Sequence, residues 1–141
     1  MKDKLQEDIK KAMKERNQTL LTTLRGLMSE IKRIEIDTRK DLTQEGCIEI
    51  VQREVKKRRD ALGFAEQAAR QDLIDQNLQE IAVLQSYLGA QLSDAELRQK
   101  IADLKAGGAD NVGKIMGALN KDHKGQFEGR KASEMIKEIL G

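Results

Sequence analysis

Three features of this 141-residue chain predict an all-α fold. It contains no proline, the residue that breaks helix interiors. Its only aromatic residues are Phe64, Tyr87 and Phe127, so burial must rest on Leu, Ile, Val, Met and Ala, a set that suits helices better than a sheet. Apolar side chains also recur at steps of three and four through most of the sequence, which places them on one side of a helix. The length fits one ordinary domain or two small ones, and the pattern along the chain favours two.

Leu5, Ile9, Ala12 and Met13 line a first short amphipathic helix, and Asn17 can cap a second. The second carries the strongest pattern: Leu20, Leu24, Leu27, Ile31 and Ile34, flanked by Leu21 and Met28, with Gly26 on the polar side. The polar stretch Asp37 to Thr43 interrupts it, and Thr43 or Asp41 can cap a third helix bearing Ile48, Val51, Val55, Leu62 and Ala65. A fourth follows with Ile74, Leu78, Ile81, Leu84 and Leu88, ending near "YLGAQL".

Ser93-Asp94-Ala95-Glu96 has the form of a capping box and opens a fifth helix with Leu97, Ile101 and Leu104 inward. Gly107-Gly108 ends it. Asp110 can cap the sixth helix, Gly125 to Gly129 forms a loop, and Ala132, Met135, Ile136, Ile139 and Leu140 line the last. The expected organisation is an N-terminal helical domain of about four helices over residues 1–92 and a C-terminal three-helix module over residues 93–141.

Charge and composition exclude several classes. Net charge is only +2, and residues 1–92 and 93–141 each carry one more basic than acidic side chain, so any electrostatic binding must come from local patches. "MKDKLQEDIKK" holds no apolar run of a secretory signal, and no stretch approaches a membrane span; the expectation is a soluble, cytoplasmic protein without a membrane partner. Cys47 is a lone thiol and is expected to fill core space. His123 is the single histidine, without ligand-spaced partners, and no EF-hand or HExxH pattern occurs, so neither a metal site nor a cofactor is expected. Serines lack a nucleophile-elbow context.

The basic run Arg53, Lys56, Lys57, Arg58 and Arg59 spreads around its helix and reads as a solvated surface. Arg58 is the exception: it falls between Val55 and Leu62, on the side of Glu66, where the two either pair or snorkel past the core. "GADNVGK", residues 108–114, has the frame of a phosphate loop but is followed by Ile115 instead of the Mg²⁺-binding hydroxyl, and no strand precedes it.

At 100° per residue, Val112, Ile115, Met116 and Leu119 cluster on one side of the sixth helix. Gly113, Gly117, Asn120 and Lys124 cluster on another, with Lys114 and Lys121 at the margin. Each helix-interior glycine costs about 1 kcal/mol relative to alanine, so something should need the backbone bare there. Either a neighbouring helix or loop packs closely, or a phosphate-sugar backbone does.

"REVKKRRDAL" (53–62), "EIAVLQSYLGAQLSDAEL" (80–97), "NVGKIMGAL" (111–119) and "KGQFEGRKASEMIKEIL" (124–140) together resemble the GatB/YqeY-domain family, in its free-standing YqeY-like form. The resemblance covers nearly the whole chain. It departs at Gly89, where the family turn usually reads YLP and proline would stiffen the hinge. The resemblance implies an all-helical fold whose C-terminal part is similar to the tail of the B subunit of the glutamine-dependent aminoacyl-tRNA amidotransferase, which touches the outer corner of tRNA; similar domains are appended to some glutaminyl-tRNA synthetases. It implies tRNA as partner, with an aminoacyl-tRNA synthetase or amidotransferase alongside. By resemblance, Gly113, Lys114, Gly117, Lys121, Lys124, Gly125, Gly129, Arg130 and Lys131 lie on the RNA side. The family label of carbon-nitrogen ligase with glutamine as amido-N-donor is expected to be inherited from the amidotransferase, because carboxyl activation and ammonia delivery belong to a catalytic core outside these motifs. A helical adaptor for a synthetase or amidotransferase is the alternative.

Overall fold

A computed structural model describes residues 1–141. Seven α-helices account for its regular structure: α1 (Lys2–Lys14), α2 (Gln18–Thr38), α3 (Gln44–Gln67), α4 (Gln71–Gln85), α5 (Asp94–Ala106), α6 (Val112–His123) and α7 (Gly129–Leu140). They divide into two compact units, Met1–Leu88 and Gly89–Gly141.

In the N-terminal unit α1 packs on α2, α3 on α4, and α2 also against both members of the second pair. Leu5, Leu24, Leu27, Ile31, Cys47, Val51 and Leu84 are fully buried at the centre. The helix starts follow local chemistry. Asn17 Oδ1 accepts the Leu20 N–H at 3.2 Å and Thr43 Oγ1 the Gly46 N–H at 3.0 Å, each satisfying a donor that the first helical turn leaves orphaned. Buried Thr23 donates to the Thr19 carbonyl one turn back, at 3.0 Å, so its hydroxyl costs the core little. Cys47 lies in the core, where burial pushes its thiol pKa up.

Some expected core positions lie outside. Met13 and Leu78 are exposed, because α4 meets α2 and α3 through a narrower sector than its apolar stripe, and Met13 lies in the last turn of α1. Ile50, absent from the expected stripe, is buried instead.

Arg58 sits at the core edge, as its helical angle implies, but its partner is not Glu66, which is exposed. Its guanidinium donates to Glu54 Oε2 at 2.9 Å and Glu80 Oε2 at 3.1 Å, joining α3 to α4. Glu35 ties three segments together: it accepts from Lys2 Nζ at 2.7 Å and from the Leu42 N–H at 2.8 Å, and these donors hold its carboxyl below the usual range. Tyr87 donates its hydroxyl to Asp8. The Lys4 ammonium lies 4.4 Å from the Tyr87 ring centroid, within cation–π reach. Burial and the Asp8 carboxylate raise the Tyr87 pKa well above the ordinary phenol value.

The C-terminal unit packs α5, α6 and α7 pairwise around Leu97, Ile101, Ile115, Leu119, Phe127, Ala132, Met135 and Ile136. Ser93 and Glu96 complete the capping box at 3.1 and 3.2 Å. Gly89 adopts φ +80°, a left-handed conformation closed to the proline that the family turn usually carries.

Candidate nucleic-acid interface

The cap of α6 is Asn111, not Asp110. Its backbone is extended and its Oδ1 accepts the Lys114 N–H at 2.9 Å. That register turns Ile115 and Leu119 into the core, with Val112 and Met116 half-buried beside them. Gly113, Lys114, Gly117, Asn120 and Lys121 are all exposed on the other side.

The glycines have open surroundings. A Cβ built on Gly117 meets nothing within 4 Å, and one on Gly113 meets only Oδ1 of the helix's own cap, Asn111, at 3.4 Å. Neither α5, α7 nor the connecting loop lies against them, so close helix packing does not explain their cost. Within the C-terminal unit, therefore, no helix or loop covers the glycine face.

The basic residues divide. Lys114 and Lys121 stand on the open face, seven residues apart, or about 10 Å along the axis at 1.5 Å per residue. Lys114 Nζ also lies 3.2 Å from Asp110 Oδ1. Lys124 does not continue the stripe: it is the C-cap of α6, with φ −55° and ψ 127°, and is half-buried. Gly125 is buried with φ +82°, and its carbonyl accepts from Gln91 Nε2 at 2.8 Å. The Gln126 carbonyl accepts the Leu92 N–H at 2.7 Å, and His123 Nδ1 lies 2.8 Å from Gln126 Oε1. This turn is therefore held by the Gln91–Leu92 segment that precedes α5, and Gly125 serves the turn.

Gly129 and Arg130 open α7 and are exposed. Lys131 reaches the start of α5, 3.0 Å from Asp94 Oδ1. The first turn of α7 holds no acidic residue, and its N-cap Glu128 makes no side-chain capping bond. Of the two cations there, Arg130 faces the positive end of the helix macrodipole, an unfavourable placement, while the charge of Lys131 is offset by Asp94.

Sequence reasoning missed the Asp110–Lys114 pair, although its i,i+4 spacing was a readable signal. It also left open where the aromatics lie. Phe127 and Tyr87 are buried, while Phe64, in the N-terminal unit, is 72% exposed, so the C-terminal unit offers no ring on which a base could stack. No group of three or more His, Cys, Asp and Glu side chains could hold a metal ion, and no helix is long and apolar enough to cross a membrane.

Comparison with known proteins returns fungal relatives named altered inheritance of mitochondria protein 41, mitochondrial. The one from Lachancea thermotolerans is 36% identical over 71% of this chain and 55% of its own length. That from Kluyveromyces lactis is 32% identical over 72% and 58%, and that from Pyrenophora tritici-repentis 25% identical over 98% and 80%. The chain thus spans little more than half the length of the first and second of these.

These names overturn the cytoplasmic expectation, since the relatives are mitochondrial proteins. The physical basis of that expectation was too narrow. Mitochondrial transit segments are amphipathic and Arg-rich instead of apolar, so an apolar-run criterion does not report on them. The family model described as Yqey-like protein matches residues 2–140. With its seven helices in a group of four and a group of three, the chain belongs to the YqeY-like protein family.

Proposed function

We propose that this protein is a tRNA-binding accessory factor whose C-terminal module, residues 93–141, grips the backbone of structured RNA through the open face of α6 and the start of α7. The observation that carries the reading is the uncovered glycine pair. Gly117 costs stability inside α6, nothing in the module packs on it or on Gly113, and Lys114 and Lys121 are exposed beside them. A bare helix backbone admits a phosphate-sugar chain at close range, and the neighbouring lysines neutralise it. Without an exposed aromatic the module has no platform for single-stranded bases, so a shape-reading mode on A-form RNA fits best. Arg130 against the dipole of α7 fits the same reading, because an incoming phosphate offsets that unfavourable placement.

The likeness of this module to the amidotransferase tail supplies tRNA as the RNA, with the ligase chemistry left to the amidotransferase core. Lys114, Lys121, Arg130 and Lys131 allow three or four phosphate contacts. At 0.7–0.9 log units per contact, affinity should fall roughly 20- to 150-fold between 50 and 200 mM salt. The test is a tRNA titration at both salts with Lys114, Lys121 and Arg130 reversed to Glu. Loss of affinity and of salt slope is expected; unchanged binding by a folded variant refutes the reading. Glutamine-dependent amidation of mischarged tRNA by the purified protein would refute the non-catalytic part.

The second reading, a helical adaptor docking on a synthetase or amidotransferase, is favoured by the apolar side chains Phe64 and Leu78 left exposed on the N-terminal unit. It predicts co-purification that depends on Phe64 and is insensitive to the lysine reversals.

A further inference from the structure

The N-terminal unit carries a second cationic surface that the α6 face does not include. A shallow, open cavity of about 440 Å³ at the end of α2 is lined by Lys32, Glu35, Ile36, Arg39, Lys40 and Asp41. The acids around it are mostly spent. Glu35 is held by Lys2 at 2.7 Å and by the Leu42 N–H. Arg33 takes both Glu30, at 2.5 Å, and Asp37, at 3.2 Å. The three cations that line the cavity form no such bridge and are exposed, and of the lining acids only Asp41 stands outside an ion pair. Among the lining residues Ile36 is 75% exposed, an apolar contact beside Lys32, Arg39 and Lys40.

We infer that Lys32, Arg39 and Lys40 form a second phosphate-contacting surface, around Ile36, for the same structured RNA. This rests on the RNA reading above. The charge complementarity is to a polyanion, and Ile36 offers the van der Waals surface that a ribose or base edge accepts. A phosphate polymer long enough to reach both units turns the second contact into an intramolecular one, so each surface raises the apparent affinity of the other.

The experiment titrates the full chain with an in vitro transcribed tRNA across a salt series. It compares wild type, Lys32→Gln/Arg39→Gln/Lys40→Gln, and Lys114→Gln/Lys121→Gln/Arg130→Gln, with helicity and thermal unfolding confirming that each is folded. Loss of three phosphate contacts should lower the slope of log K against log salt by about 2.1–2.7 and the affinity at 0.15 M salt by roughly 50- to 170-fold. Asp41→Lys should do the reverse, steepening the slope by about 0.7–0.9, and this gain keeps the test decisive if the triple variant folds poorly. An unchanged slope in the α2 variants, with loss in the α6 and α7 variant, overturns the second surface while the RNA reading stands. Loss in the α2 variants alone supports the second surface and refutes the glycine face. Absence of tRNA binding by wild type overturns both. Binding to anionic lipid vesicles through these three cations, with RNA affinity unmoved, overturns the assignment to RNA.

Discussion

Gly117→Ala separates the ligand explanation of the bare helix face from every structural one. Gly117 lies inside α6 with no positive φ, and the added Cβ meets no atom within 4 Å. The substitution therefore has no steric cost in the free protein and recovers the helix propensity that glycine forfeits, about 1 kcal/mol. For a domain of 60–100 residues that is about 4–8 °C in Tm, and the C-terminal unit should respond at least as strongly. If an RNA backbone lies against Gly117, the methyl group stands where the phosphate-sugar chain must pass. One phosphate pushed out of reach costs about 4- to 6-fold in affinity at 0.15 M salt, and Gly117→Leu should cost more. The assay is a pair of measurements on one preparation: thermal unfolding by far-UV circular dichroism and tRNA titration by fluorescence anisotropy. A protein that becomes more stable and binds less well is the expected outcome. A more stable variant with wild-type affinity refutes close backbone approach, and a less stable variant refutes the openness of the face.

Four further outcomes test the fold. Asn111→Ala should cost about 1 kcal/mol in urea unfolding because it removes the cap of α6, whereas Asp110→Ala, which loses only an exposed pair with Lys114, should cost under about 0.5 kcal/mol. Arg58→Ala should cost about 1–3 kcal/mol by leaving the Glu80 carboxylate without its partner at the core edge, and Arg58→Met with Glu80→Leu should restore most of it. Tyr87 has a raised pKa in the folded state, so its contribution is complete below about pH 10, the unfolded phenol value, and fades as pH rises further; Tyr87→Phe should flatten that alkaline loss. Glu35 is lowered instead, so its contribution is present above about pH 4.3 and is lost as pH falls, and Glu35→Gln should blunt that acid limb in the same pH-dependent unfolding series.

How much was legible depended on whether the information was local. The stripes of α2, α5, α6 and α7, the caps at Asn17 and Thr43 and the Ser93–Glu96 box are set within a turn or two of chain, and the structure contains them all. The cap of α6, expected at Asp110, is Asn111, whose extended backbone lets its Oδ1 accept the Lys114 N–H. Arg58 was placed correctly by angle, but its partner was not legible, because Glu80 is 22 residues away and no periodicity reports which helix lies opposite. Leu78 shows the same limit from the apolar side: a stripe gives the direction of burial and not the width of surface that neighbours cover. Lys124 failed because its angle had meaning only if α6 continued past His123.

The glycine face lies at the border of these two kinds of information. Sequence alone supplied the cost of Gly113 and Gly117 and their angle, while only the packed structure shows that no neighbour compensates for it. A glycine in a helix is weak evidence for a ligand, since packing explains most of them, and an exposed lysine is weaker still. Their conjunction with empty space is more informative, because nothing in the C-terminal module compensates for the cost of such a residue. Lys114 and Lys121, both exposed beside the bare backbone, favour an anionic chain over an apolar helix as the occupant we propose. Gly125 shows the contrast: it is buried, positive in φ and hydrogen-bonded through its carbonyl, so the fold itself accounts for it and no ligand is needed.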